Sequence, residues 1–346
     1  MNIMITGCAG FIGSHVTEEF VNNGYNVHGI DNFTYAGKEK NLKNVIELPN
    51  FKLTRCNVLS SELLKIIVRE HNIKWIVHLA AETHVDRSIK DSGIFLHTNA
   101  GGTKSVLDVC LETGTKLLHF STDEVYGCAT EKSFIESDKL DPRNPYSASK
   151  ASAEHFVTSY SNTYGIEYIM VRPSNNFGPR QHSEKFLPTI LKNISIGNKI
   201  PLYGDGLHER EWMYVKETAK ATRFILENSK MNEVYNVSSG FHLKNLHVIK
   251  NVCDILDINP DDCIEYVKDR PGHDRKYSID SSKLNKLGHH IESDFNSQLK
   301  ETIYHTYNGG LTCHHTTNTH WKLSTDILIM RTFYNPLHSD SFYLEH

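Results

Sequence analysis

The first half of the chain alternates short apolar runs with amphipathic stretches. Met1–Thr6, Tyr25–Ile30, Phe51–Cys56, Trp75–Leu79 and Leu117–Ser121 are apolar and of strand length. Ile12–Asn23, Ser60–His71 and Thr98–Thr113 carry apolar residues at the three- and four-residue spacing of helices. Pro145–Tyr164 reads as a long helix, and Tyr168–Arg172 as the strand that follows it. Short apolar strands alternating with helices predict an α/β fold, a doubly wound parallel sheet covered on both faces. After Pro173 the pattern loosens into loops rich in Pro, Gly and Asn, with helices expected at Phe186–Ile196, Val215–Ser229 and Asn245–Leu256.

The first strand turn sharpens that class to a Rossmann-type fold. Gly7-Cys8-Ala9-Gly10-Phe11-Ile12-Gly13 follows the first strand and opens the first helix. Gly7 permits a tight turn, Gly10 a close approach of backbone to a pyrophosphate, and Gly13 close packing of helix on strand. The free N–H groups at the helix start then face the phosphates. Asp31 ends the second strand, where a carboxylate accepts from adenosine ribose hydroxyls and repels a 2′-phosphate. The expected cofactor is therefore NAD. Residues 1–172 are expected to form mainly the NAD-binding part. Residues 173–307 should form mainly a smaller C-terminal substrate-binding lobe, interleaved with the last sheet strands.

Charge narrows the partners. Lys and Arg total 37 against 41 Asp and Glu, a formal net charge of −4, which favours neither nucleic acid nor membrane as partner. The chain opens directly on a strand and has no membrane-length apolar stretch, so a cytoplasmic protein is expected. Seven cysteines form no CxxC pair; Cys8, Cys56, Cys110 and Cys253 lie in apolar runs and should be buried free thiols. From residue 308 to 346 the chain is atypical. Cys313, His314, His315 and His320 have no standard zinc spacing, and no metal is expected.

Two segments carry candidate chemistry. Tyr146 and Lys150 stand one helical turn apart, so a phenol and an ammonium share a face. The lysine is expected to stabilise the phenolate and lower its pKa, giving a base that deprotonates a sugar hydroxyl while a nicotinamide oxidises its carbon. Ser121-Thr122-Asp123-Glu124 ends the strand before it. Thr122 can bind the same hydroxyl. Adjacent carboxylates push their pKa values apart, leaving one as acid and one as base. Spacing alone does not separate that pair from two solvated loop acids.

Together these segments resemble the nucleotide-sugar 4,6-dehydratases of the extended short-chain dehydrogenase/reductase family. The likeness runs through GCAGFIGS, DNFTYAG, HLAAETHVDRS, STDEVYG, NPYSASKASAEH, RPSNNFGPRQHSEKFLP, YGDGLHEREWMYV and DRPGHDRKYSID, over roughly residues 1–305. It implies that Tyr146, Thr122 and Lys150 serve oxidation at C4 of a dTDP- or UDP-glucose, that Glu124 removes the C5 proton, and that Asp123 protonates the departing 6-hydroxyl. It implies NAD contacts from Phe11, Ile12, Asp31, Asn32, Phe33, Thr34, Asn57, Val58, Ala80, Ala81, Thr83, Thr98, Tyr146, Lys150 and Asn176. It implies sugar-nucleotide contacts from Thr83, Thr122, Asn175, Lys185, Phe186, Pro201, Leu202, Tyr203, Arg210, Asn245, Asp269, Arg270, Pro271, Gly272 and His273. A homodimer built on Thr98–Thr113 and Pro145–Tyr164 is expected on the same ground.

Three positions depart from the family pattern: Cys8 for a second glycine, Asn57 for an aspartate near the adenine, and Glu211 for an aspartate after Arg210. Related epimerases and decarboxylases share the glycine loop and the Tyr/Lys pair but lack Thr-Asp-Glu. They are the alternative enzyme reading, and a catalytically silent NAD-binding protein is the alternative outside enzymes.

Overall fold

The computed structural model describes residues 1–130, 132–269 and 274–308. Strands β1 (Asn2–Thr6), β2 (Asn26–Asp31), β3 (Phe51–Arg55), β4 (Trp75–His78), β5 (Lys116–Phe120), β6 (Tyr168–Pro173) and β7 (Glu233–Val237) form one sheet in the order β7-β6-β5-β4-β1-β2-β3. Every neighbouring pair is parallel. The order reverses between β1 and β4, and that switch point opens the crevice in which such sheets hold ligands.

Alternation along β1 shows why the sheet is buried on both sides. Ile3 and Ile5 pack into one apolar core with Val16 and Phe20 of helix α1 (Phe11–Asn22). Met4 points the other way, into a core with Leu64 of α2 (Ser61–Glu70), Leu107 of α3 (Gly102–Thr113) and Val157 of α4 (Pro145–Tyr164). Helix α5 (Val215–Asn228) covers the first core through Ala221 and Ile225. A third core, built on Phe177, Leu187, Trp212, Val248 and Phe295, holds the C-terminal lobe. Three two-stranded pairings border it: Ile200–Tyr203 with Ile264–Val267, Glu209–Glu211 with His242–Lys244, and Asn176–Phe177 with Met213–Tyr214.

The helix expected from Thr98 starts earlier and differently. Leu96–Gly101 forms a wide π-helical turn before α3 begins. Asn99 is the reason. Its side chain accepts from the Glu82 amide at 2.8 Å and donates to the Glu82 carbonyl at 3.0 Å and to Ser149 Oγ at 2.8 Å. The Asn99 carbonyl accepts from Thr103 Oγ1 at 2.6 Å. A side chain that joins the β4 loop to α4 is accommodated by one wider turn.

Cys8, Cys56, Cys110 and Cys253 are buried free thiols. Burial pushes the Cys110 thiol up to about 12. Among the described residues no helix is long and apolar enough to cross a membrane.

Candidate active site

Helix α4 starts on a full capping box. Asn144 Oδ1 accepts from the Ser147 amide at 2.9 Å, and Ser147 Oγ accepts from the Asn144 amide at 3.2 Å, with Pro145 in the first turn. The start of α4 is thereby fixed, and with it Tyr146 and Lys150, both buried on one helix face. Lys150 Nζ donates to the Phe120 carbonyl at the end of β5, at 2.6 Å.

The acid pair leaves β5 in a single 3₁₀ turn, Asp123–Tyr126, capped by Thr122. Gly127 closes it at φ +82°, where an added Cβ would lie 2.4 Å from the Asp141 carbonyl oxygen, so this position excludes any side chain. The far side of the turn is pinned by Arg172 of β6. Its guanidinium donates to both Glu154 oxygens of α4, at 2.9 and 2.6 Å, and to Tyr126 Oη at 2.5 Å. Tyr126 Oη in turn donates to Asn236 Oδ1 of β7 at 2.9 Å. The turn bearing the acids is therefore tied to α4, β6 and β7 at once.

Asp123 is 2 % exposed. Burial, with the charges of Glu124 and Glu211 beside it, raises its carboxyl well above the usual range, against smaller pulls from Thr122 and Arg210. Its surroundings therefore favour the protonated form over the carboxylate. Its Oδ1 accepts from Thr122 Oγ1 at 3.2 Å, and its buried Oδ2 has no hydrogen-bond partner among the described residues. Glu124 is half-buried, and its Oε2 accepts from Asn144 Nδ2 at 3.4 Å. Glu211 accepts from Ser238 Oγ and from the Gly240 amide.

The expected activation of Tyr146 by Lys150 is corrected here. Burial, followed by the negative charge of Glu124, drives the phenol above its ordinary value, and Thr122 pulls it back. Lys150 itself is depressed to about 8 by burial. Its hydrogen bond goes to backbone, the Phe120 carbonyl.

The glycine loop has the shape of a dinucleotide cradle. Gly7 sits at φ +70°, with room for no Cβ against Ala80, and a Cβ on Gly13 would lie 2.0 Å from the Gly7 carbonyl oxygen. Gly10 caps α1 without a side-chain bond, which leaves the helix amides for an anion. Asp31 closes β2 against this loop, accepting from Ala9 N at 2.9 Å and Phe33 N at 2.8 Å. These residues fit a pyrophosphate and a ribose.

Comparison with known proteins decides which reactions this arrangement serves. The family described as GDP-mannose 4,6 dehydratase matches residues 4–302. The low-salt glycan biosynthesis protein Agl12 of Haloferax volcanii is 39% identical over 88% of this chain and 97% of its own length. The chain belongs to the nucleotide-sugar 4,6-dehydratase family. The crystal structure of DesIV, a dTDP-glucose 4,6-dehydratase from Streptomyces venezuelae with NAD and TYD bound, superposes with a TM-score of 0.86 at 35% identity, covering 89% of this chain and 97% of that one. A UDP-glucose 4-epimerase from Thermotoga maritima superposes with a TM-score of 0.83 at 28% identity, covering 89% and 99%.

Family membership frames the remaining positions. Ala80, Ala81 and Thr83 follow β4, which borders the switch point, while Asn32, Phe33 and Thr34 follow β2 and Asn57 and Val58 follow the edge strand β3. Thr98 lies in the π turn. Lys185 Nζ donates to the Thr83 carbonyl at 2.8 Å, joining the β4 loop to the segment that starts Phe186. Asn176 Oδ1 accepts from Thr218 of α5 at 2.6 Å, and Asn175 Oδ1 is buried beside it. The charge of Arg210 acts on Asp123, a pairing the sequence did not suggest. Pro201, Leu202 and Tyr203 lie on the strand Ile200–Tyr203, with Leu202 buried in the third core; the Asn245 amide donates to the His208 carbonyl, and the Asp269 carboxylate meets His208 at 3.1 Å. Arg270, Pro271, Gly272, His273, Cys313, His314, His315 and His320 lie outside the described residues.

Asn57 is exposed, and its Oδ1 already accepts from the Leu59 amide at 3.0 Å. The oxygen expected to serve an adenine is therefore shared.

Sequence reasoning missed two aromatic neighbours of the site, Tyr277 near Glu124 and Tyr35 near Tyr146. Tyr277 lies under the Arg210 guanidinium, 4.4 Å from its ring centre, and donates to Asp274 Oδ2 at 2.8 Å. Burial and the Glu124 charge raise its phenol. Tyr35 hydrogen-bonds Glu82 and is covered by Arg87 at 4.0 Å. Both lie in segments that carried the family likeness, DRPGHDRKYSID and DNFTYAG. The signal was present, but spacing gives no hint that they fold towards the site.

Proposed function

We propose that the protein is an NAD-dependent hydro-lyase that converts a nucleoside-diphosphate glucose, dTDP-glucose in preference to UDP-glucose, into its 4-keto-6-deoxy derivative for deoxysugar synthesis. The observation that carries this reading is Asp123. A buried carboxyl whose surroundings favour its acid form, beside a Tyr/Lys pair, is superfluous for epimerisation and suited to expelling a hydroxyl.

Bound NAD supplies reversible two-electron oxidation. The chain supplies the proton chemistry and the geometry. Tyr146 takes the proton of the 4-hydroxyl, and the ketone so formed acidifies C5. Glu124 removes the C5 proton, Asp123 gives its proton to the 6-hydroxyl, and water leaves. Gly7, Gly10, Gly13 and the amides of Phe11 and Ile12 cradle the pyrophosphate, while Asp31 holds the ribose and disfavours a 2′-phosphate. Arg210 brings a cation to the sugar-nucleotide side.

The test is turnover by NAD-loaded protein. A product with the alkaline absorbance of a 4-keto-6-deoxy sugar is expected from both nucleotides. One thymine methyl, ~0.8 kcal/mol of burial, predicts about a fourfold preference for dTDP-glucose. Release of the galactose nucleotide instead would establish an epimerase.

The proposal extends to assembly and place. Leu111 of α3 and Phe156 of α4 are 43% and 41% exposed on the helices expected to pair with a second copy. Size measurement in solution should give a dimer, and Phe156→Asp should shift it towards monomer. The six described cysteines are all free, which suits a reducing cytoplasm.

A further inference from the structure

The third core contains a pair of sulphurs for which the dehydration has no use. Cys253 lies near the end of the helix Asn245–Leu256, buried with Val248 and Val252. Cys263 is half-buried and stands just before the strand Ile264–Val267. Their Sγ atoms are 3.5 Å apart, in hydrogen-bonding contact. Cys263 Sγ also reaches the Pro260 carbonyl at 3.4 Å, and the Cys263 carbonyl accepts from the Ile200 amide at 2.6 Å. This cysteine is thus held by both its side chain and its backbone. Among the described residues no other cysteine hydrogen-bonds a second sulphur.

The two thiols are unequal. Burial, and then the hydrogen bond to Cys263, push the Cys253 thiol up to about 12, so alone it is a poor nucleophile. Cys263 is the one that solvent reaches. An oxidant therefore meets Cys263 first, with Cys253 already in contact to resolve the product.

Both cysteines belong to elements that also reach the expected sugar-nucleotide contacts. Asn245 opens the helix, and its amide donates to the His208 carbonyl at 2.9 Å. The strand after Cys263 pairs residue for residue with Ile200–Tyr203 and leads to Asp269, whose carboxylate meets His208 at 3.1 Å. Helix, sulphur pair, strand and His208 close a ring. The sulphurs lie at one end of it and the expected contacts at the other. A disulfide needs its sulphurs about 2.05 Å apart, so bonding draws helix and strand together and shifts what they carry.

We propose that Cys253 and Cys263 are a peroxide-sensitive thiol pair whose disulfide weakens nucleotide-sugar binding. The Cys263 sulphur attacks one peroxide oxygen, the O–O bond breaks, and a sulfenic acid and one water form. The Cys253 sulphur then attacks the sulfenic sulphur. The S–OH bond breaks, the hydroxide leaves with the Cys253 proton as a second water, and the S–S bond forms. The sulphurs give up two electrons and the peroxide takes them. A small dithiol reverses the change. The bridge is independent of the dehydratase reading, whereas its effect on affinity rests on the proposed nucleotide site.

The test exposes the NAD-loaded full chain to hydrogen peroxide, caps the remaining thiols after denaturation, and reads peptide masses. A Cys253–Cys263 bridge is expected. Calorimetry with dTDP should show Kd raised by about tenfold, the weight of one hydrogen bond, and restored by dithiothreitol. Cys263→Ser and Cys253→Ala should keep their dTDP affinity through the same treatment. Cys128 is half-buried with only a carbonyl as partner, and it controls for unassisted oxidation. The inference is overturned if peroxide leaves the pair free, if Cys263 proceeds to sulfinic acid or bridges to Cys313, if the bridge forms with no change in dTDP affinity, or if peroxide weakens dTDP binding to Cys263→Ser as well. Bridge and affinity are both read on the unaltered chain, so they decide even where a variant fails to fold. If the untreated chain does not bind dTDP, the nucleotide-site reading falls, and the peptide masses alone decide the thiol pair.

Discussion

Asp123→Asn is expected to stop water loss while leaving oxidation at C4 in place. Asparagine keeps the shape and still accepts from Thr122, but it has no proton to give. Loss of a positioned general acid costs about 10²- to 10⁴-fold. Product formation should therefore fall by about a thousandfold, while reduced cofactor and a 4-keto-glucose nucleotide accumulate in rapid-mixing experiments. The burial that raises Asp123 gives the mutation a second effect. Since its folded pKa lies above the unfolded value, the neutral acid costs nothing at low pH and an increasing amount as pH rises past the unfolded pKa near 3.9. Asp123→Asn should thus be more stable than the natural protein at pH 7 and equal to it near pH 3. Equal slowing of both chemical steps, in protein that still binds NAD, would contradict the role assigned to Asp123.

Lys150→Met carries the second large effect, and its two consequences have opposite signs. Removing the ammonium should lower turnover by at least about a thousandfold, because the phenol is already unfavourable as a base and loses the cation one helical turn away. Stability should rise. Burial holds Lys150 at about 8, against an ordinary value of 10.5. Between those values the unfolded chain binds the extra proton, so stability increases with pH across that window and is lowest below it. The gap corresponds to about 3 kcal/mol at neutral pH. Loss of the hydrogen bond to the Phe120 carbonyl returns about 1–2 kcal/mol of it. A net gain of about 1–2 kcal/mol at pH 7, turning into a loss of about 1–2 kcal/mol towards pH 10.5, should appear in denaturant unfolding. A loss of stability at pH 7 would show that the ammonium is solvated through the substrate crevice.

Much of this was visible in the chain itself. The strand runs, the glycine loop and the Tyr146/Lys150 spacing are local signals, and each is written within a dozen residues. Burial is not local. Tyr146 and Lys150 were expected to help each other because they stand one turn apart, yet the core around them raises the one and depresses the other. Asp123 and Glu124 are identical in spacing to a pair of loop acids. They become unequal only because the turn after β5 drives one inward beside Glu211 and leaves the other half-exposed. Tyr277 was unreadable for a related reason: about 150 residues separate it from Glu124, and only the tertiary fold sets it under Arg210.

The sheet order carries a consequence for anyone dividing this chain. Strand β7 is written some sixty residues after β6, yet it pairs along β6 from Ile169↔Glu233 to Pro173↔Val237. A fragment ending near Arg172 keeps the glycine loop, the acids and the Tyr/Lys pair, and looks complete on paper. It would present β6 as a bare parallel edge, with hydrophobic Ile169, Met170 and Val171 beside unpaired backbone, the template on which strands of other molecules add. Asn236 would be gone from Tyr126, and the acid turn would lose one of its anchors. Such a fragment should be recovered as aggregate, so the catalytic half is a unit of sequence that cannot be a unit of folding.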